Sequence, residues 1–265
     1  MKIQNLLIIP HYNNPVGLIN SVKSIGAEEW LDILIVDDGS SAKIDIDEVR
    51  RAKRFNGSIF FHFFRMNKGI ERALNYGLQY AKSNGYIYFS RLDCGDLCSE
   101  DRFQLQQNFL DSNPCVGIVG SSVRFFYEAQ TMFIKRFPKT NKEIQKCKYF
   151  NSPFSHPAVM IRVDLLNEVG FYSTDFHRAE DYEFFFRILY KSKGFNFQEV
   201  LVHAELNPKG ISLTHRKAQI KARFRIQLKY FNYAKMQSYG GLLLSSIALI
   251  APYRIVSFFK KMIFR

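Results

Sequence analysis

Short apolar runs that each end in a polar turn, with helix-period stretches between them, constrain this chain more than any other feature. Residues 3–9 and 31–36 are such runs, ending at Pro10 and at Asp37-Asp38-Gly39-Ser40. Between them Val16, Ile19, Val22 and Ile25 recur on one helical face. The alternation continues with a strand at 59–64, a helix over 70–83 stopped by Asn84-Gly85, and a strand at 86–90 running into Arg91-Leu92-Asp93-Cys94-Gly95-Asp96. A helix over 102–110 and a strand at 116–120 follow. This order predicts an α/β fold, a mainly parallel, Rossmann-like sheet with helices on both faces. Such sheets bind ligands at the carboxyl ends of their strands, where the acidic turns fall. Beyond 120 the pattern loosens into an aromatic hairpin over 123–137, a strand at 155–162 and a short helix at 164–169 closed by Gly170. A helix over 180–190 and a basic helix over 218–235 complete it.

Charge divides the chain. Its 265 residues carry a net +13, yet residues 206–265 hold twelve basic and no acidic side chains, leaving the first 205 nearly neutral. A neutral body with a basic tail predicts an anionic partner for the tail. The tail also contains an uncharged stretch at 236–253, whose dense apolar part, 242–251, is about half of the roughly 20 residues a spanning helix needs, and an amphipathic end at 254–265. The expectation is a helical tail over 216–265 lying on an anionic membrane surface. The alternative is a tail packed on the body with its charges solvated. A net positive charge confined to the tail, beside an apolar stretch, argues against a nucleic-acid partner. The composition, 47% hydrophobic and 23% charged, excludes a disordered chain. Four scattered cysteines without zinc-ligand spacing read as reduced thiols of a cytosolic protein, and the N-terminal apolar run is too short for a secretory signal.

Each acidic motif has two readings. Asp37-Asp38 is either a turn or a carboxylate pair accepting hydrogen bonds from a base or ribose. Asp93 and Asp96 either form a turn or place two carboxylates around Mg²⁺ or Mn²⁺ on a diphosphate, with Arg91 serving the phosphates or pairing with an aspartate. Glu180-Asp181 opens a helix, where acidic residues meet the dipole favourably, or supplies a general base near a hydroxyl. His156 is a polar site residue or a structural one. No Gly-x-Gly-x-x-Gly, Walker A or Gly-x-Ser-x-Gly sequence occurs, which removes dinucleotide oxidoreductases, P-loop kinases and α/β-hydrolases.

Taken together and in order, these segments resemble the family 2 glycosyltransferases of GT-A fold. IIPHYNN (Pro10, His11, Tyr12, Asn13) looks like the family's first strand and nucleotide-contacting loop, and IVDDGS like its second, with Asp37 and Asp38 on base and ribose. Asn67, Lys68 and Gly69 resemble its Asn-x-Gly helix start. FSRLDCGD resembles its metal turn, with Arg91 and Asp93 toward the nucleotide sugar and Asp93 and Asp96 toward Mn²⁺ or Mg²⁺. The segment 155–189 resembles the acceptor side, with His156 and Arg187 lining it and Asp181, beside Glu180, as catalytic base. The family usually has aspartate where Gly95 stands, so either Asp96 replaces that ligand or Arg91 and Lys68 neutralise more of the diphosphate. The resemblance implies a domain over 1–215, with a nucleotide-sugar half at 1–120 and an acceptor half at 121–215. It implies an inverting hexosyltransferase that moves a sugar from a UDP-sugar to a lipid-diphosphate-linked saccharide, peripheral on the inner face of the plasma membrane. An inactive nucleotide-sugar-binding relative is the alternative.

Overall fold

The structure, a computed structural model, describes residues 3–127, 130–206 and 216–250. Strands β1 (Asn5–His11) and β2 (Asp32–Asp37) lie buried inside a nine-stranded sheet. Their side chains alternate between two cores. Leu7, Ile9, Ile33 and Ile35 pack in the core that receives Leu18 and Val22 of α1 (Pro15–Lys23) and Phe103 and Leu110 of α4 (Arg102–Ser112). Leu6, Ile8, Leu34 and Val36 pack in the core that receives Leu74 and Leu78 of α3 (Ile70–Ser83) and Phe184 and Ile188 of α7 (Glu180–Lys191). A strand covered on both faces needs apolar residues at every position, so these runs are continuous. Pro10 pairs with Val36 beyond the last β1 pair with β4, Ile8 with Arg91.

The sheet order is β3-β2-β1-β4-β8-β6-β9-β5, with β7 beside β6. β3 (Ile59–Phe63), β2, β1 and β4 (Tyr88–Arg91) are parallel, as expected. The second half is mixed. β8 (Met160–Arg162) is antiparallel to both β4 and β6 (Val116–Tyr127). β9 (Lys193–Glu205) runs parallel to β6, β5 (Leu97–Cys98) antiparallel to β9, and β7 (Gln130–Lys135) antiparallel to the outer half of β6. Side-chain periodicity marks a strand without its direction, which the connections set, so the parallel rule holds only where helical crossovers link neighbours. The expected strand at 116–120 and the first arm of the hairpin are one strand, β6. Expected only as a strand at 155–162, the next segment begins with a 3₁₀ turn, His156–Ala158. The strands β5 and β9 and the helix α2 (Ile46–Ala52) were not expected.

Helix α8 (Arg216–Lys229) packs on the body. Its Ala222 and Ile226 join Tyr149, Phe176, Tyr182 and Phe186 in a third cluster, Tyr230 stacks on Phe186 at 4.9 Å, and Gln227 Nε2 donates to the Tyr149 carbonyl at 2.8 Å. Helix α9 (Met236–Ile250) follows. A Cβ at Gly241 would stand 1.9 Å from the Tyr149 carbonyl oxygen, so glycine permits this contact. The tail therefore has one face on the body while Met236, Leu243 and Ile250 stay exposed. Among the described residues no helix is long and apolar enough to cross a membrane. The amphipathic end expected at 254–265 lies outside the described residues.

Candidate active site

At the carboxyl ends of β1 and β2, the acidic turn is locked from within. Asp37 Oδ2 lies 2.6 Å from His11 Nδ1 and its Oδ1 accepts the Ser40 N–H at 2.9 Å. Burial raises this carboxyl, but the Ser40 hydroxyl and N–H and the His11 ring outweigh it and hold the pKa below the ordinary range. The buried Asp38 accepts the backbone N–H groups of Lys68 at 2.8 Å and Gly69 at 2.9 Å, so it fixes the start of α3 to the end of β2. The Asn13 side chain accepts from Ser41 and Ala42 and ties the first loop to the second. Tyr12, Asn13, Asn67 and Lys68 stay exposed around this floor, Pro10 is half-buried and His11 is covered.

Arg91, at the end of β4, is fully buried and central. Its Nη2 donates to Asp93 Oδ1, its Nη1 lies 2.8 Å and 3.0 Å from the two ring nitrogens of His156, and its carbonyl accepts from Arg102 Nη2 at 2.7 Å. Arg102 is itself fully buried, on the first turn of α4, whose Phe103 and Gln104 N–H groups donate to Glu29. His156 Nε2 is 2.8 Å from the Tyr172 hydroxyl. Burial, then the neighbouring Arg91, pushes the imidazole well below its ordinary pKa, leaving it neutral. Burial keeps the Tyr172 hydroxyl protonated.

Across from Arg91, the loop leading into α7 is fastened to α3. The Asn75 side-chain amide donates to the Tyr172 carbonyl and accepts the Tyr172 N–H, and His177 Nδ1 lies 2.6 Å from the buried Glu71. This places Glu180 and Asp181 within the field of Arg91. Burial first, and Asp181 second, push Glu180 up to about 8, and one of its oxygens has no partner. Burial also raises Asp181, opposed by the Tyr182 N–H and by the charges of Arg91 and Lys135, while Asp93 pushes it further up. The site thus joins Arg91 and Asp93 of the first half to Glu180 and Asp181 of the second. Lys135, on β7, and Tyr172 join it without any signal in the sequence beyond residue type.

Two residues expected at the site stand elsewhere. Asp96 is buried, its carboxyl accepts the Glu205 backbone N–H, and burial and Asp93 raise its pKa well above the ordinary range. Asp93 keeps 43% of its side chain exposed and is the carboxylate of this turn that reaches the cleft. The intervening Gly95 has φ +103°, a conformation suited to glycine, and donates its N–H to Ser21 Oγ at 2.9 Å. Arg187 pairs with Glu183 at 2.7 Å and donates to the carbonyls of Val169 and Phe171, so it braces the loop before α7. Among the described residues no three His, Cys, Asp or Glu side chains converge on a metal site. Asp93 offers one hard oxygen donor, which suits Mg²⁺ or Mn²⁺ when phosphate oxygens and water complete the shell.

The profile described as Glycosyl transferase family 2 matches residues 6–170. The chain is 27% identical over 200 residues to the amylovoran biosynthesis glycosyltransferase AmsE of Erwinia amylovora, across 72% of each chain. It is 25% identical over 273 residues to the UDP-Gal:alpha-D-GlcNAc-diphosphoundecaprenol beta-1,3-galactosyltransferase of Escherichia coli, across 100% of this chain and 95% of the relative. S. aureus TarS 1-349 in complex with UDP-GlcNAc matches 92% of this chain and 73% of its own, with a TM-score of 0.69 and 15% identity. The mannosyltransferase PcManGT of Pyrobaculum calidifontis, in complex with GDP-Man and Mn²⁺, matches 97% of this chain and 79% of its own, with a TM-score of 0.64 and 15% identity. These likenesses show a common GT-A fold.

Proposed function

The chain belongs to glycosyl transferase family 2, and from that premise we propose that it moves a hexose from a UDP-sugar to a hydroxyl of a lipid-diphosphate-linked saccharide, with inversion at the anomeric carbon. The observation that carries this reading is the convergence of Arg91 and Asp93 with Glu180 and Asp181. Asp181 takes the proton of the acceptor hydroxyl on the face opposite the leaving diphosphate. Its raised pKa suits a carboxylate that must hold that proton. The nucleotide lies over Pro10–Asn13, Asp37, Asp38 and Asn67–Gly69, with Lys68 exposed beside the diphosphate. Arg91, held by His156 and Asp93, is aimed before the reaction and spreads the leaving charge without reorganising. Asp93 would hold a divalent ion, which would supply further neutralisation of that charge.

The UDP donor and lipid-linked acceptor are supported by the names of the E. coli relative and the TarS complex, and the ion by the Mn²⁺ of the archaeal neighbour. The Erwinia relative supports a place in bacterial surface-polysaccharide synthesis. The tail holds the enzyme on the inner face of the plasma membrane, supported by its charge and by the apolar face that α9 leaves exposed.

Calorimetric titration with UDP, GDP and dTDP, each with and without Mn²⁺, tests the donor. The expected result is preferential UDP binding, tightened by Mn²⁺, with the tightening lost in Asp93→Asn. Absence of binding by any nucleotide overturns the reading.

A further inference from the structure

One residue just before α7 carries a strained backbone that its own contacts leave unexplained. Arg178, in the loop between α6 (Leu166–Val169) and α7, has φ +70°, a left-handed conformation that a residue of its size rarely adopts. The Ala179 N–H donates to the Phe176 carbonyl at 3.0 Å, so residues 176–179 form a tight turn with Arg178 at its third position, where a positive φ favours glycine. The rest of the turn is fastened. Phe176 and Ala179 are buried with Ile226 of α8 and with Tyr149, just past α5 (Asn141–Cys147), and His177 meets Glu71. Arg178 is exposed, and among the described residues its side chain makes no hydrogen bond or ion pair. Asn13 also has a positive φ, 51°, but its side chain accepts from Ser41 and Ala42 and so holds that backbone. Strain at Arg178 without such compensation points to a contact outside the chain.

A second unpaired guanidinium stands at the same turn. Arg225 of α8 lies with Cζ 5.4 Å from the Phe176 ring centroid, and Lys229 Nζ lies 5.0 Å from it. An aromatic face holds a cation in place without neutralising it. Lys229 is paired with Glu183, which Arg187 also holds. Arg225 is exposed and, like Arg178, pairs with no carboxylate among the described residues, Asp175 of the same loop included. Guanidinium groups bind phosphate oxygens through two parallel hydrogen bonds, so two of them beside one ring match a diphosphate. Arg178 stands two residues from Phe176 and three before Asp181, so at most about 11 Å separates its Cα from that of the proposed base.

We propose that Arg178 and Arg225 form the subsite for the diphosphate of the acceptor, whose sugar brings its reacting hydroxyl to Asp181. This rests on the transferase reading above and assigns the anionic part of the acceptor to residues of this chain. The donor's diphosphate has its own cations, Arg91 at the end of β4 and Lys68 before α3. The two diphosphates thus meet separate cations. Arg225 belongs to α8, so a bound acceptor bridges the loop before α7 and the first helix of the basic tail.

The test is calorimetric titration of the full chain, first saturated with UDP to fill the donor's subsite, with geranyl diphosphate, geranyl monophosphate and inorganic phosphate. The proposal expects geranyl diphosphate to bind, the monophosphate to bind at least about tenfold more weakly, and inorganic phosphate not to compete. Arg178→Gln and Arg225→Gln are each expected to weaken geranyl diphosphate by about tenfold or more. Lys221→Gln, one turn back on α8, is expected to change it by no more than about threefold. Unchanged UDP binding in all three establishes that they are folded. Arg178→Gly relieves the left-handed backbone, so it is expected to keep or raise the melting temperature while losing geranyl diphosphate as the glutamine variant does. A lower melting temperature with that binding intact makes Arg178 a turn residue only and overturns the proposal. Geranyl diphosphate binding that either glutamine variant leaves within the Lys221 control overturns the subsite and leaves the donor reading standing, as does a wild type that binds UDP but no geranyl diphosphate. A wild type that binds no UDP overturns both. Inorganic phosphate binding as tightly as geranyl diphosphate overturns the acceptor assignment in favour of a free anion. Loss of phosphatidylglycerol vesicle binding in both variants, with geranyl diphosphate binding intact, overturns it in favour of a lipid headgroup.

Discussion

Two acidic pairs stand at the two sides of the cleft and behave in opposite ways. Asp37 and Asp38 end a strand, and each receives donors: His11 and Ser40 on the first, the Lys68 and Gly69 N–H groups on the second. Glu180 and Asp181 open a helix, but burial raises both, and Asp181 helps to push Glu180 up to about 8. Two carboxylate pairs thus give a donor-held floor on one side and, on the other, groups whose pKa values burial raises. What differs is the number of donors aimed at each carboxylate, the third of the ordinary causes of a shifted pKa.

The most direct way to break the contrast is Asp181→Asn, which removes the proton acceptor and leaves the nucleotide floor intact. Turnover is expected to fall by about 10²–10⁴-fold while UDP affinity in calorimetry stays unchanged. Loss of affinity with retained turnover would assign Asp181 to the floor instead. Asp38→Ala attacks the other side. It leaves two backbone N–H groups without a charged acceptor, at about 1.5–3 kcal/mol for such a bond, so UDP binding is expected to weaken by at least about tenfold. Wild-type affinity in that variant would show that the Asn67–Gly69 loop holds its shape unaided.

Gly95→Asp sharpens the comparison by restoring a carboxylate to the turn between the two sides. The backbone there has φ +103°, so the variant is expected to lose about 1–3 kcal/mol in denaturant unfolding, with no gain in Mn²⁺ affinity. A stable variant with tighter Mn²⁺ binding would mean that the turn accepts the family's usual pattern. The smallest effect concerns pH. Glu180 binds its proton more tightly folded than unfolded, so its contribution to stability is greatest below about 4.5 and is lost as pH rises toward about 8. Glu180→Gln removes that slope, at most about 1.4 kcal/mol per pH unit. The melting-temperature difference between variant and wild type is expected to move in the variant's favour from about pH 5 to about pH 8. A constant difference would show that Glu180 ionises normally.

Legibility differed across the molecule for physical reasons. The helix over 70–83 and the strands β1 and β2 match their expected bounds closely, because continuous burial writes itself into the sequence as apolar runs. β9 escaped notice because its residues are only partly buried and carry Lys193, Glu199 and His203, although it is the long neighbour of β6. Asp93 and Asp96 read alike as letters, and only burial and the Glu205 N–H separate them. Arg187 sits on the expected helix, but its three backbone and carboxylate partners make it a brace for the preceding loop.

The sequence by itself determined the main strands and helices of the first half, the placing of acidic turns at strand ends and the basic tail, because these follow from local periodicity and from charge counted along the chain. Only the tertiary structure decided which carboxylates face the cleft, that Lys135 and Tyr172 join it, and that α8 packs on α7. It also decided that the Arg225 guanidinium stands over the Phe176 ring, two residues from Arg178. Those outcomes depend on donors, rings and charges brought together from segments far apart in sequence, and on how much water the fold excludes from each, which no local pattern records.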